Sequence, residues 1–163
     1  NRLVLERCKQ EGLLDMLIRF NIELDSIQKS LEDYLQTKRA AFPRFYFLSN
    51  DELLKILSNT RQPRLVQDYL NKCFEGIKTI TFASETSNEI ISMISPENEE
   101  VPLMKSLVAH EIIEAWLLEL EETMYQSVYE EIKKCLEGYP EYGISRKDWI
   151  FFGYPCQAVL TVD

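Results

Sequence analysis

Apolar residues recur at spacings of three and four along the first part of the chain. They are Leu17, Phe20, Leu24, Ile27, Leu31 and Tyr34. This periodicity places all six side chains on one face of a helix that starts near Gly12. Pro43 ends the pattern, because proline has no amide hydrogen and keeps the preceding residue out of the helical region. We therefore predict a helix over about 12–41 that packs in a helical bundle, since the repeat is too short for a coiled coil.

A short aromatic segment follows this helix. It consists of Phe42, Pro43, Arg44, Phe45, Tyr46 and Phe47. These residues are too large and apolar for a solvated loop, so we predict an extended, buried connection between helices. Side chains alternate along an extended backbone, which would turn Phe45 and Phe47 to the core and Tyr46 away from it. An exposed partner-binding patch is the alternative that these residues leave open.

Two shorter helices are predicted next. Ser49 and Glu52 have the spacing of a capping box, in which each side chain satisfies a free backbone N–H at the start of a helix over about 51–58. Pro63 suits the first turn of the following helix. Gly76 is placed to end that helix in a left-handed C-cap.

The pattern then changes from helical to β-type. Residues 78–83 and 89–94 are rich in β-branched side chains and partly alternate between apolar and polar, which predicts a β-hairpin. Residues 101–104 form a candidate third strand, and Pro102 would confine it to an edge because proline cannot donate to the ladder.

A second long helix is predicted over 109–137, between the candidate strands and the stop signals Gly138 and Pro140. Pro155 is placed to open one more helix. The expected buried side of the long helix consists of Ile113, Trp116, Leu117, Leu120, Met124, Val128, Ile132 and Leu136. The predicted fold class is therefore mainly α (α+β), a helical bundle with long helices and a small β-hairpin insert.

The length, charge and composition of the chain limit the classes of protein to which it can belong. The chain of 163 residues suits one domain or two joined subdomains. Its net charge of -9 disfavours nucleic-acid binding. No apolar run approaches the roughly 20 residues that span a bilayer, so no membrane partner is expected. The start at Asn1 and an apolar run close to Asp163 predict that the chain is a piece of a larger protein.

The cysteines and the motif-like stretches do not predict a reactive site. The four cysteines, Cys8, Cys73, Cys135 and Cys156, are far apart, which favours reduced, buried thiols in an intracellular protein over two disulfides in a secreted one. The stretch 138–145 has the spacing of a phosphate-binding loop, but Ile144 replaces the lysine that holds the phosphates. His110 and Glu111 begin a zinc-type motif that has no second histidine.

We therefore predict no catalytic, cofactor-binding or metal residue, no direct small-molecule ligand, and no enzyme activity in this chain. Neighbouring glutamates such as Glu121 and Glu122 are expected to form a solvated acidic face. Lys38, Arg39 and Arg44 form a basic cluster, which could meet a partner's carboxylates or pair with the chain's own excess of acid. The sequence leaves both alternatives open.

Four separated stretches resemble a known family. Residues 34–39, 42–54, 73–77 and 154–160 resemble, in the same order, the linker region of dynein heavy chains. The sequence of residues 48–52 is more similar to axonemal than to cytoplasmic dyneins. Two departures are Tyr154 and Cys156, because the family usually has Trp-Pro-Gly-Gln where this chain has Tyr154-Pro155-Cys156-Gln157.

The resemblance implies a mechanical role. The family's linker lies across a ring of six ATPase modules, and it bends and straightens as the first module cycles through ATP. Residues 1–76 would be a helical linker subdomain, 77–106 the β-hairpin insert, and 107–163 a long helix with the junction towards the first ATPase module. Because that module's phosphate loop lies beyond Asp163, the resemblance also implies no cofactor in this segment.

The partners implied are the ATPase ring of the same heavy chain and other dynein chains. The location implied is cytoplasmic, in the cytoskeleton of a ciliary or flagellar axoneme. The structural motif expected to serve this role comprises Phe42, Pro43, Arg44, Phe45, Tyr46, Phe47, Gly76 and Trp116. The alternative is a helical protein-interaction scaffold that transmits no force.

Overall fold

The structure is a computed structural model that describes residues 4, 6, 8, 11–60, 62–138 and 145–155, except for the side chain of Phe152. The chain forms two compact units, residues 1–40 and residues 41–163. The predictions for 139–144 and for 156–163, including Cys156, lie outside the described residues. None of the described helices is both long enough and apolar enough to cross a bilayer.

The first unit is dominated by helix α1, Leu13–Ala41, whose 29 residues match the predicted extent. Gly12 precedes it at a φ of 75°, a left-handed conformation that glycine adopts without a Cβ clash. The apolar stripe of α1 is exposed from Leu17 to Tyr34, whereas Leu35 is buried. The helix is thus confirmed, and its packing inside a bundle stays a prediction.

Short helices open the second unit. A 3₁₀-helix at Pro43–Phe47 leads to α2, Asn50–Ser58, and a second 3₁₀-helix at Pro63–Val66 leads to α3, Gln67–Cys73. Pro63 occupies the first turn of its 3₁₀-helix, as predicted.

The predicted capping box at the start of α2 is confirmed. The Ser49 hydroxyl accepts a hydrogen bond from the Glu52 N–H at 3.3 Å, and the Glu52 carboxylate accepts one from the Ser49 N–H at 3.0 Å. The prediction for Gly76 is wrong. Helix α3 already ends at Cys73, with Phe74 as an extended C-cap, and Gly76 does not have a positive φ. The Phe74 N–H bonds the Leu70 carbonyl at 2.7 Å, which closes the last turn without a left-handed residue.

The predicted hairpin is confirmed and extends into a three-stranded antiparallel sheet. Its strands are β1 (Thr79–Phe82), β2 (Glu89–Ile94) and β3 (Glu100–Val108), in the order β1-β2-β3. The third strand lies at an edge and contains Pro102, as predicted, but it continues to Val108 because the chain stays extended beyond residue 104. The register of β2 and β3 shifts between Ile90 and Ser92, which marks a bulge.

Helix α4, Ile113–Gly138, packs against β3. It begins four residues later than predicted, because β3 runs to Val108 and His110 accepts a hydrogen bond from the Ile112 N–H at 3.2 Å just before the helix. Trp116, Leu117 and Leu120 are fully buried, as expected.

The buried face of the C-terminal half of α4 differs from the prediction. Val128 and Leu136 are exposed and Ile132 is partly exposed, whereas Ser127, Glu131 and Cys135 are buried. The difference arises from a hydrogen bond and an ion pair, which the pattern of apolar residues does not predict. The Ser127 hydroxyl bonds to the backbone of β3, and the buried Glu131 pairs with Lys134 at 2.6 Å.

A further helix, α5 at Arg146–Phe152, was not predicted. Its Trp149 forms a small core with Cys135 of α4, and Ile150 and Tyr154 pack around that pair. The buried, free thiols of Cys73 and Cys135 agree with the prediction, whereas Cys8 is exposed.

Candidate functional site

The aromatic segment after α1 is a 3₁₀-helix, and this corrects the predicted extended backbone. Side chains three residues apart lie on the same face of a 3₁₀-helix. Phe42, Phe45 and Leu48 therefore share the buried face, with 0%, 0% and 3% of their surfaces exposed. Phe47 is 67% exposed, so its predicted place in the core is wrong. Tyr46 is exposed, as predicted, at 60%.

The buried aromatic rings join this segment to the end of α3. The rings of Phe42 and Phe45 meet edge to face at 4.9 Å between centroids, with an interplanar angle of 80°. The ring of Phe74, directly after α3, lies 6.2 Å from that of Phe42. Such pairs contribute about 0.5–1.5 kcal/mol each beyond the burial of their surface. The connection therefore resists separation of the 3₁₀-helix from α3.

Arg44 adds a polar junction beside these rings. Its Nε and Nη2 atoms donate to Oε1 of Glu121 on α4 at 2.9 and 2.7 Å. Its Nη1 atom donates to the Cys73 carbonyl at 3.0 Å, and its guanidinium lies 4.8 Å from the centre of the Phe74 ring. The planar guanidinium suits such simultaneous contacts. One side chain thus connects the 3₁₀-helix, the end of α3 and the middle of α4.

We call the set Phe42, Arg44, Phe45, Phe74 and Glu121 the splice. The sequence left open whether the basic cluster pairs with a partner's carboxylates or with acidic residues of this chain. For Arg44 the structure shows the second, because Arg44 pairs with Glu121. Arg44 and Glu121 are about one third and one quarter exposed. Because the pair is partly shielded from water, it is worth more than a fully exposed surface ion pair.

The thiol of Cys73, whose carbonyl Arg44 binds, is not a reactive group. Burial raises the pKa of Cys73 to about 11, and this effect outweighs the opposing influence of the Arg44 charge. The thiolate is the nucleophilic form of cysteine, so this side chain is inert near neutral pH. The splice thus consists of three aromatic rings and one ion pair, an arrangement that holds the neighbouring elements together.

Comparison with known proteins identifies the family. The family model described as "Dynein heavy chain, N-terminal region 2" matches residues 1–135, a range that contains the whole splice. The chain belongs to the dynein heavy chain family. It is 43% identical to human dynein axonemal heavy chain 6 and 45% identical to mouse dynein axonemal heavy chain 1, over 99% of its length in both cases.

Rat dynein axonemal heavy chain 12 is 43% identical over 98% of the chain. The chain spans only 4–5% of the length of these relatives. The relatives are axonemal dynein heavy chains, which agrees with the axonemal type that the resemblance implied. They indicate a cytoskeletal location in a ciliary or flagellar axoneme.

The other predicted motif residues of this dynein heavy chain segment lie apart from the splice or at its border. Trp116 is fully buried in α4, and its indole N–H has no hydrogen-bond partner among the described residues. Gly76 is exposed next to Phe74, and a Cβ there would contact nothing within 4 Å. Within the described part of the chain, no three histidine, cysteine or acidic side chains are grouped so that they could hold a metal ion.

Sequence reasoning missed two members of the splice. Glu121 lies 77 positions from Arg44, and nothing in the local pattern distinguishes it from its neighbour Glu122. In the sequence, Phe74 is marked only as part of the stretch 73–77, which resembles the family. The available signal was that Phe74 follows Cys73 within one of the stretches that resemble the family, so an aromatic partner for Phe42 could have been sought there.

Proposed function

We propose that this segment belongs to the linker of a dynein heavy chain. There it acts as a mechanical element that couples ATP-driven changes in the ATPase ring to microtubule-based movement. The single observation that carries the proposal is the match to dynein heavy chains over nearly the whole segment. Its C-terminal residues would form the junction towards the first ATPase module, and its partners would be that ring and other dynein chains. The segment itself would be non-catalytic and would hold no cofactor.

The splice supports this role in physical terms. A lever must transmit displacement without yielding where the chain passes from one element to the next. Directly after α1, two buried rings and a multiply bonded arginine fix the backbone to α3 and α4. Interiors packed in this way have low compressibility and transmit strain.

The proposal is tested in the intact motor by weakening the splice. Arg44→Gln removes the ion pair with Glu121 and the stacking on Phe74, while the buried rings of Phe42 and Phe45 stay in place. We expect ATP hydrolysis to continue and microtubule gliding to slow, because a lever that yields at its joint transmits less displacement. The measurement is a paired ATPase and gliding assay on the same preparation.

Phe47→Ala is the matched control, since Phe47 belongs to the same short helix and is exposed. It should leave both activities unchanged. If Arg44→Gln reduces both activities equally, or reduces neither, the splice is not part of a force-bearing element.

A helical interaction scaffold is the second candidate function. The exposed stripe of α1, which includes Leu24 and Ile27, favours it, because contiguous exposed apolar surface marks interaction sites. A scaffold would lose partner binding when this stripe is changed, while gliding per hydrolysed ATP would stay the same. A lever would show the opposite pattern for Arg44→Gln.

A further inference from the structure

Arg64, in the 3₁₀-helix Pro63–Val66, provides a fixed positive charge beside the turn that joins β1 to β2. Its Nη2 atom donates to the Ser84 carbonyl and, at 2.9 Å, to the Ser87 carbonyl. Its guanidinium lies 4.2 Å from the centre of the Phe82 ring. The ring face and the two carbonyl oxygens thus hold this exposed side chain in one orientation.

In the described part of the chain, Arg64 has no acidic partner. The whole chain has 27 acidic and 18 basic side chains, so carboxylates are abundant. Arg44 pairs with one of them, whereas both bonds of Arg64 go to neutral carbonyls and use Nη2 alone. The N–H groups of Nε and Nη1 are therefore available to a further acceptor among these residues. A guanidinium binds phosphate oxygens through two parallel N–H groups, so a phosphate suits this position.

The turn beside Arg64 presents hydroxyl groups. Residues 84–87 form this turn, in which the Ser87 N–H donates to the Ser84 carbonyl at 3.2 Å and to the Ser84 hydroxyl at 3.1 Å. Thr86 is exposed at the tip, and its hydroxyl lies 3.4 Å from that of Ser84. The carbonyls that Arg64 binds belong to the two ends of this turn, so a phosphate carried by Thr86 is within reach of the guanidinium.

Acidic residues flank Thr86 in the sequence. Glu85 precedes it directly, and Glu89 follows three positions later. Protein kinases distinguish substrates partly by the pattern of charges around the hydroxyl. Acid on both sides favours a kinase with a basic substrate groove, because the two potentials are then complementary. The exposed turn gives such an enzyme access to the hydroxyl and to the backbone on either side.

Ser30 in α1 has a similar acidic pattern but a different backbone. It is exposed, and Glu32 and Asp33 follow it at two and three positions. Its hydroxyl donates to the Ser26 carbonyl at 2.9 Å, and its backbone lies inside a helix of 29 residues. A kinase would have to open several helical hydrogen bonds to bind this stretch. Accessibility of the backbone therefore favours Thr86.

We propose that Thr86 is a phosphorylation site for a serine/threonine kinase that prefers acidic substrates, and that Arg64 binds the resulting phosphate. In the transfer, Oγ1 of Thr86 forms a bond to the γ-phosphorus of Mg-ATP while the bond from that phosphorus to ADP breaks. The hydroxyl proton passes to the catalytic aspartate of the kinase, and ADP leaves. The added group carries about −1.5 to −2 charges at pH 7.

The bound phosphate fastens the turn to the 3₁₀-helix. Hydrogen bonds between a guanidinium and a phosphate are charge-assisted, and they are stronger than those that Arg64 makes to neutral carbonyls. Glu85 opposes this attraction, but its exposed carboxylate is screened by water, whereas the phosphate and the guanidinium are in direct contact. The effect is confined to the second unit and requires no particular role of the segment in a motor.

The first test is phosphorylation of the full heavy chain, previously treated with phosphatase, by casein kinase II and Mg-ATP. Mass spectrometry measures the occupancy of each site. We expect the occupancy of Thr86 to exceed that of Ser30 by at least about tenfold. Glu89→Gln should lower the initial rate at Thr86 about fivefold, because it removes the acid three positions away.

Glu97→Gln is the control for that variant, since it removes an exposed carboxylate of the neighbouring turn and should leave the rate unchanged. An occupancy of Thr86 no higher than that of Ser30, or a rate insensitive to Glu89→Gln, would overturn the proposal.

Hydrogen exchange tests the role of Arg64 separately. Phosphorylation should slow amide exchange in residues 84–88 about tenfold when Arg64 is present, and hardly at all in Arg64→Gln. Arg64→Lys should be intermediate, because lysine keeps the charge without the planar fork. Each variant is compared with its own unphosphorylated form, since Arg64 also binds the two carbonyls of the turn. Equal slowing in Arg64→Gln, or no slowing in any form, would show that Arg64 does not bind the phosphate.

Discussion

Helices α1 and α4 have apolar residues at the same spacings, but only one of them is buried. In α4, Trp116 and Leu120 are fully buried, and the helix packs on β3. In α1, Leu24 and Ile27 are 61% and 64% exposed. Periodicity therefore predicts that a segment is helical, while its burial depends on which element the rest of the chain places against it. In water, the packing of an apolar face is the larger contribution to the stability of a helix.

The largest expected effect comes from truncating the buried helix. Trp116→Ala in α4 should lower the free energy of unfolding by about 3–5 kcal/mol, because it leaves a cavity in the core. Leu24→Ala, on the exposed stripe of α1, should stay within about ±0.5 kcal/mol. Urea unfolding of the 163-residue chain, followed by circular dichroism, measures both. A comparable cost for Leu24→Ala would show that the stripe of α1 is covered in solution.

The next effect separates buried from exposed positions within one short helix. Phe45→Ala should cost about 3–5 kcal/mol, slightly less than Trp116→Ala because the lost ring is smaller. Phe47→Ala should be nearly neutral, because its ring is mostly in water. The two variants remove the same side chain two residues apart, so the same denaturation experiment compares them directly. Equal costs would favour the extended backbone predicted from the sequence over the 3₁₀-helix.

The features that could be predicted from the sequence are those determined by residues within a few positions of each other. The extent of α1, the Ser49–Glu52 capping box and the strand pair of the hairpin all follow from such local patterns. Pro102 likewise indicated an edge strand, because the missing amide hydrogen is a property of the residue itself.

The features that could not be predicted depend on distant partners. An aromatic run fits an extended segment as well as a 3₁₀-helix, and both bury Phe45, but only the extended segment would place Phe47 in the core with it. The partner of Arg44 lies 77 positions away among several similar glutamates. The rotation of the buried face of α4 depends on a hydrogen bond between Ser127 and the backbone of β3, and no hydrophobic pattern encodes that bond.

The smallest expected effect concerns a stabilising contact that needs no burial, at the start of α2. The hydrogen bond from Lys72, whose Nζ lies 2.6 Å from Glu52 Oε1, lowers the pKa of the Glu52 carboxyl, and the Ser49 backbone N–H lowers it further. A pKa depressed on folding means that the charged form stabilises the folded state. That contribution is present above the ordinary glutamate pKa of about 4.3 and is lost as the pH falls through the folded-state value.

Glu52→Gln should therefore destabilise the chain at pH 7, and the difference from the unmodified chain should shrink as the pH is lowered below about 4. Urea unfolding at a series of pH values between these limits measures that difference. Glu23→Gln is the control, because it also removes one carboxylate from an acidic chain. Glu23 lies on the exposed surface of α1, and its ion pair with Arg19 is longer, at 3.8 Å. A difference for Glu52→Gln that stays constant with pH would show that its charge does not stabilise α2. Exposed contacts in the second unit would then contribute as little to the free energy of unfolding as we expect for the exposed stripe of α1.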